Sequence, residues 1–567
     1  MQDSLGSDLD EGALCGGPSK KSRKAGWYQP GPSTLGEILN VNAAAATHMV
    51  QMALESRHTQ SLDRLKKFAQ QPTVITSTFT GWATYEDTFL ESRQNVADAL
   101  GIEVGPTVWY RAIECSGHVQ HALRHRKSSF RPLHVFDNNL DRLPEHVRRE
   151  LENYMDEQLQ VLAAHKKERQ LSTITKAEYD QALANLNNDV LNHLRGQLKQ
   201  MEFELEGDCR ICNKKCPFSP MADPKFHGYM WCEGAGTICK PFSAMSSNPA
   251  WCDPSTISTL VWAYATRFDE PKSVHHECVV GFHEKVFIDI FKEVEDVLKD
   301  VCLPASENEY KGYGFQMQAF SPTDLGVPSE RQRKYSHYEL LEEEVPKRMW
   351  KFDGLFYRKL VATCGVYMAA PPAILEAEHA ELEPLVNKKA RSVADAGHEQ
   401  GTLTLGDTHW SYLQSYLEIA RQRPELCTST ASGELVWSVP LAICDVTQLA
   451  THRGIAHPRT GTDWSAWGCR HTCLSMPALL QNTLLYEMVT DRPIAVSECW
   501  LVQGFARPCM VGVPSELSAC FACPDMLANS AEEVGQDGKV PLAVQRSIIG
   551  NSMHRAAVGH WILYTAL

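Results

Sequence analysis

Between residues 73 and 143, apolar β-branched runs alternate with amphipathic stretches. Val74-Ile75-Thr76-Ser77-Thr78-Phe79 is followed at once by Gly81 and predicts a buried strand. Residues 84–100 predict a helix, Val108–Ile113 a second strand, 117–126 another helix, and His134-Val135-Phe136 a third strand. That order is the opening of a doubly wound α/β sheet. Upstream, 36–68 reads as helix. Residues 144–205 break the rhythm: they are charged, punctuated by Leu and nearly free of Gly and Pro, which predicts a long helical hairpin inserted in the α/β domain. The α/β pattern resumes near Tyr229, with a helix over 283–300 and a strand over 312–320. Residues 335–470 carry no clear period and read as a second, irregular, aromatic-rich domain. The apolar end of the chain, 540–567, predicts a helix packed back on the first domain.

Composition narrows the class. The 567 residues are 43% hydrophobic and 22% charged, which suits a globular protein with a sizeable core. A net charge of −14 argues against a uniformly basic surface wrapped on nucleic acid, and leaves room for a local basic cleft. No apolar run is long enough to span a bilayer, and no signal-peptide pattern opens the chain. Nineteen scattered cysteines then fit reduced thiols in the nucleus or cytoplasm. Lys20-Lys21-Ser22-Arg23-Lys24, in a polar tail over 1–35, has the composition of a nuclear import signal or of plain solvated charge.

Candidate chemistry sits at the strand ends, where a doubly wound sheet opens its ligand crevice. Phe79-Thr80-Gly81-Trp82 follows the first strand, Glu114 ends the second and Asp137 the third. A carboxylate there can take the two hydroxyls of a ribose, and together the three ends favour a nucleoside-containing cofactor. No Gly-x-Gly-x-x-Gly is present, so a diphosphate cradle is not indicated. Cys239, between an apolar strand and a Pro-Phe turn, occupies a nucleophile's position. Further on, His275-His276-Glu277-Cys278 places an acid at the head of a short apolar strand. Arg331 and Arg333, two apart on an extended segment, point to one side. Ser497-Glu498-Cys499-Trp500-Leu501-Val502-Gln503-Gly504-Phe505 and Gly550-Asn551-Ser552 follow near the end.

These residues, in this order, resemble the cytosine-5 DNA methyltransferase family, which uses S-adenosyl-L-methionine. The resemblance covers 73–143, 229–335 and 471–567. It implies a Rossmann-like methyltransferase sheet with a helical insertion and a smaller irregular target-recognition domain. The implied division is a tail (1–35), the N-terminal part of the cofactor domain (36–143), a helical and Cys-rich insertion (144–228), the catalytic part (229–340), target recognition (341–470) and a returning segment (471–567). Cys239 would be the nucleophile that adds to C6 of cytosine and Glu277 the acid at N3. Arg331 would pair with O2 of the base and Arg333 would support the loop. Phe79, Gly81, Trp82, Glu114, Asp137, Asn551 and Ser552 would hold the cofactor. The partner implied is nucleic acid, DNA ahead of RNA, with the base flipped out or single-stranded; Lys388-Lys389-Ala390-Arg391, Trp410 and Arg421 lie in the recognition segment. The sequence departs from the family's motifs at Ile238 (proline in the family), Cys278 (asparagine) and Ser329 (glutamine).

One further cluster is visible. Cys209-x-x-Cys212-x-x-x-Cys216, with His227 and Cys232 downstream, offers zinc-type ligands at a spacing that matches no standard finger, so no metal is assigned from sequence.

Overall fold

The computed structural model describes residues 29–124, 126, 130–243, 250–292, 313–340, 350–386, 407–422, 427–430, 435–439, 441–446, 475–476, 478–479, 483–505 and 542–567. The basic cluster at 20–24 and Lys388–Arg391 lie outside them.

The expected doubly wound α/β sheet is present. Its strands are β1 (Thr73–Thr78), β2 (Thr107–Ile113) and β3 (His134–Phe136). A small separate hairpin of β4 (Glu206–Cys209) and β5 (Lys214–Pro217) comes next, and the main sheet then continues with β6 (Met230–Gly236), β7 (Ser273–Val279), β8 (Tyr313–Phe320) and β9 (Arg333–Leu340). The spatial order is β3-β2-β1-β6-β7-β9-β8. The first five are mutually parallel, and β9 runs antiparallel to both its neighbours. The chain builds outward from β1 to β3, then returns to the middle and builds the other way from β6. The strand order therefore reverses between β1 and β6, which makes their carboxyl ends the crevice of the sheet.

β1 is buried at every position, as a strand covered by helices on both faces must be. Its threonines serve a buried charge. Glu233 of β6 accepts hydrogen bonds from Thr78 Oγ1 (2.9 Å) and Trp262 Nε1 (3.0 Å) and pairs with Arg111 of β2 at 2.9 Å. Arg111 also approaches Asp269, which Arg142 holds at 2.7 Å. A carboxylate so fully partnered is tolerated in the interior.

Two expectations need correction. The stretch over 36–68 is three helices, Leu35–Leu39, Val41–Glu55 and Thr59–Gln70, broken at Asn40 and at the left-handed Arg57 (φ 54°). Residues 335–340, read as irregular, belong to β9. The strand is polar in sequence yet buried along most of its length, and two of its long polar side chains find partners: Lys334 Nζ donates to the Phe282 carbonyl at 2.9 Å and His337 lies 2.9 Å from Ser273 Oγ.

The predicted helical hairpin is Glu145–Gln170 and Lys176–Lys199, the second helix opened by a Thr175/Glu178 capping box. It packs against the helix Thr256–Asp269 in one apolar cluster with Phe242, Trp251 and Phe282. The last helix, Arg555–Thr565, is buried nearly throughout and does return to the sheet: Trp561 Nε1 donates to the Ser336 carbonyl, and Thr565 Oγ1 is 2.9 Å from His275 Nε2. Among the described residues no helix is long and apolar enough to cross a membrane.

Candidate active site

The sheet register brings the distant motifs into one row. Thr78 pairs with Ile113 and Ala235, and Ile113 pairs with Phe136, so the next residues on these four strands are Phe79, Glu114, Gly236 and Asp137. Gly236 pairs with Glu277, and Glu277 with Tyr335. Asp137, Glu114, Phe79, Gly236, Glu277 and Tyr335 therefore cross the sheet side by side, at about 4.8 Å per strand. Glu277 stands near the carboxyl end of β7, not at its head as the sequence suggested. The preceding His275 and His276 are interior strand positions: His275 stacks on His337, and His276 lies 2.8 Å from Thr237 Oγ1.

On the β1 side of the row the chain turns sharply. Phe79, Gly81 and Ala83 all have positive φ (55°, 54° and 63°). A Cβ at Gly81 would meet open space, so only the backbone conformation of this turn demands glycine. The Glu114 carboxylate accepts from Gly81 N and Ser116 N, both at 2.9 Å. Burial raises its pKa, opposed by those two N–H groups. Asp137 is held by Arg210, whose Nε donates to Oδ1 at 2.6 Å and whose Nη2 contacts Oδ2. Trp82 does not face the cleft; it is buried against Trp500, ring centroids 5.4 Å apart. Asn551 is exposed at the end of the helix Leu542–Asn551, whereas Ser552 is buried and donates to the Ile548 carbonyl at 2.8 Å.

On the β6 side, Cys239 sits just beyond the strand on a half-buried turn closed by Phe242 N donating to the Cys239 carbonyl. Its thiol donates to the Thr237 carbonyl at 3.2 Å and lies 3.8 Å from Cys278 Sγ. The hydrogen bond from Cys278 lowers the Cys239 pKa, and the charges of Arg333 and Arg331 add to it against burial and Glu277. The Cys278 thiol is pushed well up, by burial and by Cys239. Cys239 is thus the more acidic sulfur of the pair. Gly236 keeps the site open: a Cβ there would lie 2.7 Å from Met553 and 3.7 Å from Glu277 Oε2.

The two arginines lie at different depths beside the site. Arg333 Nε lies 3.1 Å from Glu277 Oε1 and makes the buried ion pair at the site. Arg331 is buried deeper, donating to the carbonyls of Leu479 (3.2 Å) and Gly550 (3.4 Å), which ties the Gly550-Asn551-Ser552 segment in place and leaves its guanidinium engaged by backbone. Burial, then Arg333, lowers its pKa to about 10. Arg331 precedes β9 and Arg333 begins it, and the charges of both reach Cys239 and Glu277. Tyr335, next to Glu277 in the row, has a buried hydroxyl with no hydrogen-bond partner among the described residues. Sequence reading missed it because nothing marked 335 as strand. Glu498 is fully buried, held by Arg492 at 2.9 and 3.0 Å and by Ala495 N at 3.0 Å, which makes its motif a packing element.

The cysteine cluster also comes together, with a different membership. Cys209, Cys212 and Cys216 meet His134 of β3, all four ligand atoms within 4.8 Å of one another. His227 instead contacts the Met221 carbonyl at 3.1 Å, and Cys232 is buried within β6. His134 could not be found from spacing, since 75 residues separate it from Cys209.

No family profile and no curated protein matches the chain. Solved structures do align with it. A variant of Spodoptera frugiperda DNMT2 is 10% identical, with 87% of this chain and 99% of that chain covered and a TM-score of 0.33. The Entamoeba histolytica methyltransferase EhMeth is 12% identical, with 88% and 99% covered and a TM-score of 0.31. The S. pombe Dnmt2 methyltransferase is 10% identical, with 87% and 97% covered and a TM-score of 0.30.

Proposed function

We propose that this protein transfers a methyl group from S-adenosyl-L-methionine to C5 of cytosine in DNA. The observation that carries the reading is the convergence of Cys239, Glu277 and Arg333 at the sheet edge whose other half is the Phe79–Glu114–Asp137 row. The residues of that half fit the cofactor: Gly81 faces open space, and Glu114 Oε2, which accepts only from Gly81 N, has a lone pair left for a ribose hydroxyl, while Oε1 accepts from Ser116 N and the Cys115 thiol. Phe79, Gly81, Glu114 and Asp137 would hold it, with Asn551 at the rim. Trp82 and Ser552 would support the site from beneath. When bound, the cofactor supplies an electrophilic methyl group on a sulfonium centre.

The chain's own residues do the rest. The Cys239 thiolate adds to C6 of an unstacked cytosine, which makes C5 nucleophilic; once C5 carries the methyl group, a base takes the C5 proton and the C6–S bond breaks, which releases the Cys239 thiolate and restores the ring. Glu277 holds a proton at N3, so the ring need not carry the charge. Arg333 orients Glu277, lowers the Cys239 pKa by its charge, and would reach O2 of the base. Arg331 fixes the Gly550 carbonyl and adds its charge, less than that of Arg333, to the field at Cys239.

Trapping tests this directly. On oligonucleotides containing 5-fluorocytosine, with S-adenosyl-L-methionine present, fluorine cannot leave C5 as a proton does. A denaturant-stable adduct with the DNA strand, lost in Cys239→Ala, is expected. An adduct with the RNA strand alone would move the substrate to RNA. No adduct with either, despite measurable cofactor binding, would mean a catalytically lapsed nucleic-acid-binding protein, a reading favoured by the second thiol at Cys278.

A further inference from the structure

The hairpin β4–β5 lies beside the edge strand of the sheet. Arg210 N donates to the Val135 carbonyl at 2.8 Å, and Cys209, Cys216 and Phe218 share a small apolar cluster with Ile113 and Phe136. Three sulfurs of this hairpin surround one imidazole nitrogen. His134 Nδ1 is 3.6 Å from Cys209 Sγ and 3.5 Å from Cys212 Sγ, with Cys216 Sγ inside the same 4.8 Å sphere.

The distances fit a shared centre. Zinc–sulfur bonds of about 2.3 Å and a zinc–nitrogen bond of about 2.0 Å, arranged tetrahedrally, put sulfur and nitrogen about 3.5 Å apart. Ordinary hydrogen bonding explains them less well. Nδ1 has one in-plane lone pair or one N–H, and can be aligned with only one of two sulfurs at nearly equal distance. The Cys212 amide also points at Cys209 Sγ, 3.4 Å away, as amides do toward a charged sulfur. Two of the four ligands are buried and two half-buried, so no ligand position is left open to substrate.

We infer that His134, Cys209, Cys212 and Cys216 form a closed structural zinc site that fastens the hairpin to the edge of the sheet. The site is independent of the reaction proposed above. It has a local consequence: Arg210 lies between the first two cysteine ligands, so the metal holds its guanidinium against Asp137 at the end of β3. The three thiolates and one zinc ion leave a single negative charge, and Lys214 and Lys215 follow directly on the strand.

Elemental analysis of the full chain, purified reduced and without added metal, should find one zinc per chain. Cys212→Ser and His134→Ala should lower it well below one, whereas Cys115→Ser and His227→Ala should leave it unchanged. A fold-independent reading comes from exchange: after zinc is removed by a chelator, added cobalt(II) should give the intense visible bands of a tetrahedral ion and near-ultraviolet thiolate charge transfer. Zinc should also protect Cys212 from alkylation. A metal-free protein that shows no tetrahedral cobalt spectrum would overturn the inference. So would zinc content that is unchanged in both ligand variants, or a weak octahedral cobalt spectrum.

Discussion

Replacing Glu86 by glutamine should stabilise the protein, and increasingly so as pH rises. Glu86 lies in the first turn of the helix Thr84–Leu100, immediately beyond the Phe79–Ala83 turn, and is fully buried. Burial raises its pKa from 4.5 to about 8, only partly opposed by the nearby Ser77 hydroxyl. The folded chain therefore retains a proton that the unfolded chain loses. Below about pH 4.5 both states are protonated and the group is neutral for stability. Above it, folding must keep the carboxyl protonated against solvent, and wild-type stability falls by about 1.4 kcal/mol per pH unit until about pH 8. Between pH 5 and pH 7 that amounts to about 2.5 kcal/mol. The amide of the Glu86→Gln variant does not titrate and is nearly isosteric with the acid, so the variant lacks this slope. Urea unfolding of both proteins at pH 5, 6, 7 and 8 reads the difference, in which all other titrating groups cancel. Curves that stay parallel across this range would refute the assignment of a protonated Glu86.

Three further outcomes are expected. Arg333→Gln removes the cation beside Cys239 and Glu277, so alkylation of Cys239 by iodoacetamide at pH 7 should slow several-fold and its pH profile should shift upward. Arg331→Gln should instead lower stability by about 1–3 kcal/mol through its lost carbonyl contacts, with a smaller shift in that profile. Treatment with diamide should join Cys239 to Cys278, whose sulfurs need only close from 3.8 Å to about 2.05 Å; peptide mass mapping should find this link in wild type and not in Cys278→Ser. Arg111→Met leaves Glu233 charged without its ion-pair partner and should destabilise by about 3–5 kcal/mol in urea, largely restored when Glu233→Met is added.

The first half of the sheet was legible because β1 to β3 are apolar strands closed by turns, and a parallel buried strand looks like little else. With it came Glu114 and Asp137, since the end of a strand is also where a sheet exposes its ligand crevice. β9 was not legible: Lys334, Ser336 and His337 are polar, and Lys334 and His337 find their partners only at Phe282 and Ser273, far away in the chain. That one omission hid Tyr335. His134 was hidden for a different reason, being an ordinary strand residue until β4–β5 folds onto it. Cys278 was seen as a departure from a motif, but its distance from Cys239 belongs to the register between β6 and β7, which no local pattern contains.

The switch between β1 and β6 also sets a clock. Thr76 of β1 and Glu233 of β6, joined by a hydrogen bond, are 157 residues apart in the chain, with the whole helical hairpin between them. At about 5–20 residues per second, a ribosome needs roughly 8–30 seconds to deliver β6 after β1 has emerged. Throughout that interval one side of β1 is an unpaired, apolar strand edge, the kind of surface that recruits other chains. The central seam of the finished sheet thus cannot close until the inserted hairpin has been made, and β7, β8 and β9 are added only after it.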